Sequence, residues 1–336
     1  MKLMFVGDIN LGEYYPSFGH GPRTYASSKN VFANVQSIFD TADLVVGNLE
    51  APITNHNMNE NEPESMVLRV DPSHAGQLKA AGFGVLQVAN NHTVQHGAKG
   101  FDETLSCLEG LGIQATGLNK QRPVSVEHDG LKIGFLAASD VPDNTDKSQQ
   151  KYQRLEDEFV NIAKEEVANY DHLIVMLHWG LEASTGPLPY QREMIDQFYA
   201  MGISAVIGSH PHLFYEIEKR ENFVSAYSLG NFVFDLCWDA RMNKSGILEL
   251  DLSKNSVQAK LWPVELKENG CLPTPTGESL EIDKSLNIYK LGEKMDRQQM
   301  RKTLYLIRNL HKGNTAMKIK FFQRKILSLF RSTEPA

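Results

Sequence analysis

The sequence predicts an α/β protein built on a mostly parallel β-sheet. Short apolar runs alternate with stretches of helical periodicity as far as His212, which is the order of strands joined by crossover helices. Five of these runs are followed directly by polar residues of the kinds that bind metal ions. The chain has 336 residues, 41% hydrophobic and 22% charged, and this is enough for one large domain with an appendage or for two domains.

The first half of the chain supplies three of the predicted strands. In order, we expect a strand over 2–6, a helix capped by Ser27 or Ser28 and ending at Phe39, a strand over 43–46, an exposed polar loop over 55–64, a helix from Asp71 to about Gly82, a strand over 84–89 and a helix over 97–110.

The second half begins with a hairpin signal, Asp129-Gly130, between strands over 122–128 and 131–137. The elements expected next are a loop over 142–154, a helix over 155–168, a strand over 172–177, a helix over 190–201 and a strand from Ala205. Apolar runs over 213–218, 223–227, 247–252 and 257–264 predict an antiparallel group beside the first sheet, with the segment 228–235 inside it. We divide the chain into a domain over 1–270, a linker over 271–290 and a basic extension of two helices over 291–336.

Charge and cysteine content exclude several classes of protein. The net charge of -7 does not favour a nucleic-acid partner, although nine Lys or Arg and one acid lie between Arg301 and Ala336. The three cysteines, Cys107, Cys237 and Cys271, are widely spaced and indicate free thiols. The N-terminal residues enter a strand directly, and no apolar run has transmembrane length. We therefore expect a cytoplasmic protein.

The polar residues that follow the five strands form one pattern. They are Asp8, Asn48 with Glu50, Asn91 with His92, His178, and His210 with His212. Because ligands bind outside the carboxyl ends of strands in open α/β sheets, these loops should meet at one edge. Pro211 restricts its own backbone and its neighbour's, which should aim the two flanking imidazoles into one cleft. The set predicts two metal ions about 3.5–4 Å apart with a bridging carboxylate.

Each residue also has a purely structural interpretation. Asp8 and Asn91 are residue types common in turns and caps. An isolated H-x-H pair is often exposed in a turn, and His178 beside Trp179 is compatible with a buried core histidine. Each interpretation explains its own residue as well as a metal site does, but one shared site explains all five positions at once.

Six segments occur in order at compatible spacing. They are V-G-D-I-N-L-G (6–12), D-L-V-V-G-N-L-E-A-P (43–52), V-A-N-N-H…G (88–97), H-W-G-x-E (178–182), G-S-H-P-H (208–212) and S-L-G-N-F-V-F (228–234). As a set they resemble the CapA family of capsule or poly-γ-glutamate synthesis proteins, which is similar to the calcineurin-like metallophosphatases. The resemblance covers Met1 to Val264. It implies a four-layer α/β/β/α sandwich with a dinuclear metal site, followed here by a helical appendage.

The resemblance also implies roles for individual residues. Asp8 and His212 would bind the first of two divalent transition-metal ions (Mn, Zn or Fe), and Glu50, assisted or replaced by Asn48, would bridge to the second. Asn91, His178 and His210 would complete the second site. His92, with Asn90 beside it, would be the general acid or stabilise the transition state. We expect substrate contacts from Arg69, Glu182 and Asn231.

Two positions depart from the pattern of the related proteins. Asn10 stands where the phosphatases have the histidine of D-x-H, and would coordinate through its carbonyl or leave room for water. Gln95 stands where an acid is common, with His96 beside it. Both changes weaken the expected site, one at the first metal and one near His92.

The leading hypothesis is a metal-dependent hydrolase in capsule, exopolysaccharide or poly-γ-glutamate metabolism. Activated water would attack a phosphoester or a γ-glutamyl amide, and Arg69, Arg192 and Arg23 are either anion contacts or surface charges. The alternative is a non-catalytic assembly factor that binds an anionic polymer or a synthase. A basic amphipathic stretch over 317–331 fits a membrane surface or a partner, or else packs on the main domain. A nucleotide phosphodiesterase is a third hypothesis, from analogy of fold.

Overall fold

The structure is a computed structural model that describes residues 1–60, 62–145, 151–292, 297–320 and 323. The strands in chain order are β1 (Lys2–Ile9), β2 (Leu44–Leu49), β3 (Phe83–Gln87), β4 (Gln114–Thr116), β5 (Val124–His128), β6 (Leu131–Ser139), β7 (His172–His178), β8 (Ala205–Ser209), β9 (Ile217–Arg220), β10 (Phe223–Ala226), β11 (Asn231–Val233), β12 (Lys244–Ser253), β13 (Ser256–Lys267), β14 (Leu272–Pro275), β15 (Leu280–Glu281) and β16 (Ser285–Leu286).

The helices lie mostly between these strands. They are α1 (Pro22–Ala26), α2 (Gln36–Phe39), α3 (Pro63–Met66), α4 (Gly76–Ala80), α5 (Gly97–Gly110), α6 (Asp157–Glu166), α7 (Pro189–Met201) and α8 (Gln298–Asn309). Residues 315–320 are also helical. No helix in the described part of the chain is both long and apolar enough to cross a membrane.

The strands form two sheets. The first has the order β14-β13-β12-β1-β2-β3-β4, with β11 paired to β1 and β15 to β13, and the second has the order β16-β9-β10-β8-β7-β6-β5. The strands joined by crossover helices are parallel: β1 with β2 and β3 in one sheet, and β6 with β7 and β8 in the other. Their carboxyl ends therefore point the same way within each sheet.

The two sheets pack face to face with helices outside. Leu3 and Phe5 of β1 join a cluster that also holds Phe135 of β6, and the Phe5 and Phe135 rings lie 6.5 Å apart. The alternate residues Met4 and Val6 belong to the cluster shared with the helices, since successive side chains of a strand point to opposite faces. This arrangement is the expected four-layer α/β/β/α sandwich.

The prediction of one antiparallel group beside the first sheet is wrong. β9 and β10 form a hairpin in the second sheet, and β10 is parallel to β8. β12 and β13 form a longer hairpin in the first sheet, where β12 is antiparallel to β1. They are two hairpins in two sheets because alternating apolar residues report burial of a strand and not its pairing partner.

Two local predictions also differ from the structure. Ser27 ends α1 instead of beginning a helix, because Pro22 at the first helical position starts that helix earlier. The segment expected to be a linker carries short strands, β14 on β13 and β16 on β9. Hydrogen bonds therefore tie it to both sheets.

The C-terminal helix α8 packs against the main domain. Arg301 forms an ion pair with Asp239 at 2.8 Å, and the Tyr305 ring lies 5.2 Å from that of Tyr15. α8 precedes the stretch 317–331, so the alternatives for that stretch, a membrane surface, a partner or packing on the main domain, stay predictions. Residues 321–322 and 324–331 of the predicted amphipathic stretch lie outside the described residues.

Candidate metal centre

The ends of four parallel strands bring the predicted ligands together from both sheets. Asp8 of β1 pairs in register with Asn48 of β2, and Glu50 follows β2 directly. In the second sheet His178 ends β7 opposite Ser209 of β8, after which His210 and His212 follow. The expected meeting of strand ends is thus confirmed, although the residues come from two sheets and not from one.

The histidine loop after β8 is held in an unusual backbone conformation. His210 and His212 have φ values of 96° and 58°, in the left-handed region that non-glycine residues rarely adopt. Gly208, in β8 just before this loop, lets the backbone of Tyr227 approach closely, because a Cβ there would lie 2.0 Å from the carbonyl oxygen of Tyr227. Strain of this kind persists only where the surrounding structure holds it, and it is frequent at functional sites.

Two groups of candidate ligand atoms share one carboxylate. Ligand atoms of Asp8, Glu50 and His212 all lie within 4.8 Å of one another, and so do those of Glu50, His178 and His210. Every one of these side chains is buried. Nε2 of His212 is 3.6 Å from Oε1 of Glu50, and its Nδ1 is 3.4 Å from Oδ2 of Asp8. Glu50 therefore occupies the position of a bridging ligand.

Several polar atoms in this cluster have no ordinary partner. Neither carboxylate oxygen of Glu50 accepts a hydrogen bond from the described residues, and Nδ1 of His210 makes none within the same set. Buried polar atoms are nearly always hydrogen-bonded, so exceptions call for an explanation. Carboxylate oxygens and imidazole nitrogens are the donor types that divalent transition metals prefer. The residues present fit such ions.

The electrostatics of the cluster favour bound cations. Burial, and then the neighbouring His210, hold the pKa of His178 well below its usual value, and burial together with His212 lowers the pKa of His210 to about 4. Both imidazoles are thus neutral, the form that binds metals. Burial, followed by the charge of Asp8, raises the pKa of Glu50 well above its usual value. A bound cation would offset the cost of ionising the Glu50 carboxyl in this buried position beside Asp8.

Hydrogen bonds from behind orient the imidazoles. Oδ1 of Asn231 lies 2.8 Å from Nδ1 of His212, and Oγ of Ser209 lies 3.1 Å from Nδ1 of His178. Such contacts fix the tautomer and the ring orientation of metal-binding histidines. Asn231, expected to contact substrate, lies behind a ligand instead. Ser209 was not predicted, although it directly precedes the H-P-H motif.

The amide side chains differ in what they offer the cluster. Oδ1 of Asn91 is 2.8 Å from Nε2 of His178, so it faces the second group of ligands as expected. Asn48 donates through Nδ2 to Oδ1 of Asp8 at 2.8 Å, and thereby positions a ligand. Oδ1 of Asn10 accepts the backbone N–H of Gly12 at 2.8 Å. The carbonyl of Asn10 is therefore turned to the backbone and does not replace the missing histidine.

His92 lies at the edge of the cluster, and its Nδ1 is hydrogen-bonded to Gln95. Oε1 of Gln95 is 2.6 Å from Nδ1 of His92, and Nε2 of Gln95 donates to the carbonyl of Val67, which fixes the orientation of the amide. Nε2 of His92 is 3.9 Å from Oε1 of Glu50 and faces the ligands. Gln95 thus supplies the acceptor that an acid provides in the related pattern. Asn90 supports the same loop by accepting the backbone N–H of His92 at 3.1 Å.

The charged residues expected near substrate are placed differently. Arg69 is buried and donates to the carbonyls of Ser65, Thr54 and His56. It supports the polar loop and does not face the ligands. Glu182 is exposed. Partial loss of hydration opposes ionisation of its carboxyl, but the fields of His212, His210 and His92 outweigh this effect and lower its pKa.

The remaining arginines form surface ion pairs. Arg192 pairs with Glu216 at 3.1 Å and Glu218 at 3.3 Å, and Arg23 lies 3.9 Å from Glu60. Their contacts agree with the surface-charge alternative.

Comparison with known proteins gives one consistent result. The family described as "Bacterial capsule synthesis protein PGA_cap" matches residues 2–236. The chain is 28% identical over 279 residues to the PGA biosynthesis protein CapA of Bacillus subtilis (strain 168), covering 80% of this chain and 72% of that protein. It is 25% identical over 301 residues to the capsule biosynthesis protein CapA of Bacillus anthracis, covering 84% and 71%.

A solved structure of a putative 5'-nucleotidase from Staphylococcus aureus, in complex with alpha-ketoglutarate, is similar with a TM-score of 0.49 and 15% identity. That similarity covers 91% of this chain and 58% of the other. The match of the family to residues 2–236 spans the whole candidate metal centre. The chain therefore belongs to the family of bacterial capsule synthesis proteins.

Proposed function

We propose that this protein is a metal-dependent hydrolase with a role in capsule or exopolysaccharide metabolism, and that water is its nucleophile. The observation that carries the proposal is that Glu50 belongs to both groups of candidate ligands. A carboxylate shared by two such groups is the arrangement of two-metal hydrolases. The bond cleaved is a phosphoester or the γ-glutamyl amide of an anionic polymer.

Asp8 and His212 would hold one cation, His178, His210 and Asn91 would hold the other, and Glu50 would contribute to both sites. Divalent transition-metal ions in these positions supply Lewis-acid activation of water and offset negative charge on the attacked group. The surrounding side chains keep the imidazoles in their ligand orientation. Ser209 contacts His178 and Asn231 contacts His212 in this way, and Asn48 holds the carboxylate of Asp8.

His92 handles the proton of the leaving group. The water oxygen forms a bond to the phosphorus or carbonyl carbon, and the bond to the leaving oxygen or nitrogen breaks. Nε2 of His92 gives its proton to that leaving atom, and the proton lost by the water restores the imidazolium through solvent. Gln95 holds Nδ1 and so keeps Nε2 turned toward the ligands.

The test measures bound metal first and hydrolysis second. Protein purified without chelators should contain about two transition-metal ions per chain, and a His210→Ala, His212→Ala double variant should lose them. His92→Ala should keep the metal and lose hydrolysis of p-nitrophenyl phosphate or γ-glutamyl p-nitroanilide, whichever the wild type cleaves. His128→Ala, in an exposed hairpin, is the matched control.

Two results would contradict the proposal. The first is a folded wild type that binds neither manganese, zinc nor iron, and the second is a His92→Ala variant that retains full hydrolysis. The first would favour the assembly-factor alternative, in which the same cleft holds a polymer or a synthase without cleaving it.

A further inference from the structure

A cavity of about 330 Å³ opens beside His92. One side is the segment between β1 and α1, which we call the tyrosine loop (residues 14–18), and another is Val67 with Leu68 after α3. The third side is α8, through Leu306 and Leu310, while His92 and Gln95 close the end nearest the metal ligands. The size falls at the lower end of the range of about 300–1,000 Å³ that small-molecule pockets occupy.

The cavity is lined mainly by apolar and aromatic side chains. Among its described lining residues, Lys318 is the one cation. Its Nζ donates to the carbonyl oxygens of Leu310, at 2.8 Å, and of Lys312, so the ammonium is already engaged. A carboxylate placed among these walls would lose its hydration and find one counter-charge among the described lining residues, the Lys318 ammonium, which already donates two of its three N–H groups to carbonyl oxygens, so burying the carboxylate stays costly. The cavity therefore suits an uncharged, apolar group.

The walls of the cavity are fixed parts of the fold. Asp235 accepts the backbone N–H groups of Tyr14 and Tyr15 at 2.7 and 2.9 Å, which holds the tyrosine loop. The Tyr305 ring of α8 packs on Phe18 at 6.0 Å. The cavity thus depends on α8, and the C-terminal extension forms part of its wall.

The position of His92 connects this cavity to the reaction centre. Nε2 of His92 faces Glu50, while the same residue lines the cavity. If Nε2 protonates the leaving atom, the group attached to that atom lies on the cavity side of His92. In a γ-glutamyl polymer that group carries a carboxylate, which the apolar walls disfavour.

We propose that the cavity binds the apolar alcohol portion of an amphiphilic phosphoester, with the anionic head at the carboxylate–histidine cluster. The inference rests on the proposed hydrolase function and deepens it, because it names the substrate class. Leu310 both lines the cavity and is 45% exposed, so the rim is apolar as well. An aliphatic chain longer than the cavity would leave across that rim.

The test uses n-alkyl phosphonates from methyl to octyl, which resist hydrolysis, with manganese-loaded protein in a calorimeter. Affinity should rise by about fourfold per methylene until the cavity is filled. Leu310→Gln should weaken octylphosphonate at least tenfold and leave methylphosphonate unchanged. The control is Leu304→Gln, a similarly exposed leucine of α8 (42% against 45%) that is not among the described residues lining the cavity. Equal affinity across the series would overturn the inference.

A second series separates this inference from the hydrolase function. 1-Alkanols carry no charge and report on the cavity in metal-free protein, where their affinity should rise with chain length in the wild type and less in Leu310→Gln. Chain-length dependence without any hydrolysis supports the cavity and refutes the hydrolase. Hydrolysis of short phosphoesters, together with an affinity that does not depend on chain length in either series, supports the hydrolase and refutes the cavity proposal.

Discussion

The position of Glu50 in both ligand groups predicts that Glu50→Gln is more stable than the wild type without metal and less stable than the wild type with metal. In metal-free wild type, the Glu50 carboxyl is buried and accepts no hydrogen bond from the described residues. An unsatisfied buried polar group costs about 1–3 kcal/mol. Glu50→Gln leaves an amide that is just as unsatisfied and removes only the extra cost of the charge beside Asp8, so the free energy of unfolding of the metal-free variant should rise by about 1 kcal/mol at pH 7.

With manganese the order should invert. At one hundred times the dissociation constant, each occupied site stabilises the folded chain by about 2.7 kcal/mol, and two sites by about 5 kcal/mol. Glu50→Gln should lose most of this gain at both sites, because the neutral amide replaces a ligand that the two groups share. His178→Ala should lose the gain at one site alone.

The assay is urea denaturation with and without manganese. Glu249→Gln is the matched control: its carboxylate is also buried, but it accepts from Nε1 of Trp262 at 2.9 Å, so the control should not gain stability and should keep the full response to manganese. Without metal, the higher free energy of unfolding of Glu50→Gln should approach that of the wild type as pH falls toward 4.5, the ordinary pKa of a glutamate carboxyl. At that pH the carboxyl becomes protonated in the unfolded chain as well as in the folded one, so its burial no longer costs stability. A variant that is less stable than wild type without metal, yet equally stabilised by manganese, would refute the reasoning.

Three further predictions follow from contacts around the site and at α8. Gln95→Leu should lower kcat by about tenfold or more, whereas Gln95→Glu keeps an acceptor on Nδ1 of His92 and should preserve kcat; equal losses in p-nitrophenyl phosphate turnover would contradict a positioning role. Asn231→Ala should weaken manganese binding by about 10–100-fold at one of two calorimetric sites, because His212 loses the partner on Nδ1, and an unchanged isotherm would disprove this. Burial, with Lys312 and Lys318, lowers the pKa of His20 from 6.5 to about 4, so protonation between those values should loosen α8 by about 1–2 kcal/mol, a figure reduced for the partial exposure of the ring. Limited proteolysis of α8 should accelerate from pH 7 to 5 in wild type but not in His20→Gln, and equal rates in the two proteins would argue against it.

The candidate ligand cluster was predictable from sequence because each of its residues lies at the end of a strand or within a few residues of it. Asp8, Glu50 and His178 needed only the location of their strands, and the parallel direction of those strands brought them together. Pro211 correctly marked the loop that carries His210 and His212. Their positive φ values leave no trace in hydrophobic periodicity.

The residues that escaped prediction act across large distances in the chain. Asn231 reaches His212 because β11 lies beside β1, with Asn231 opposite Asp8, and that pairing has no local signature. The same is true of the apolar cavity, which combines the tyrosine loop with α8 from the other end of the chain. Spacing within one segment identifies the ligands, but only pairing between distant segments shows what surrounds them.

The division of the ligands between two sheets has a consequence for folding. Asp8, Glu50 and Asn91 lie in or follow strands of the first sheet, and His178, His210 and His212 lie in or follow strands of the second. Neither sheet on its own holds a complete group that includes both Glu50 and the histidines. High-affinity metal binding during refolding should therefore begin only after the two sheets have docked. The rate of metal binding then reports the rate at which the sheets dock.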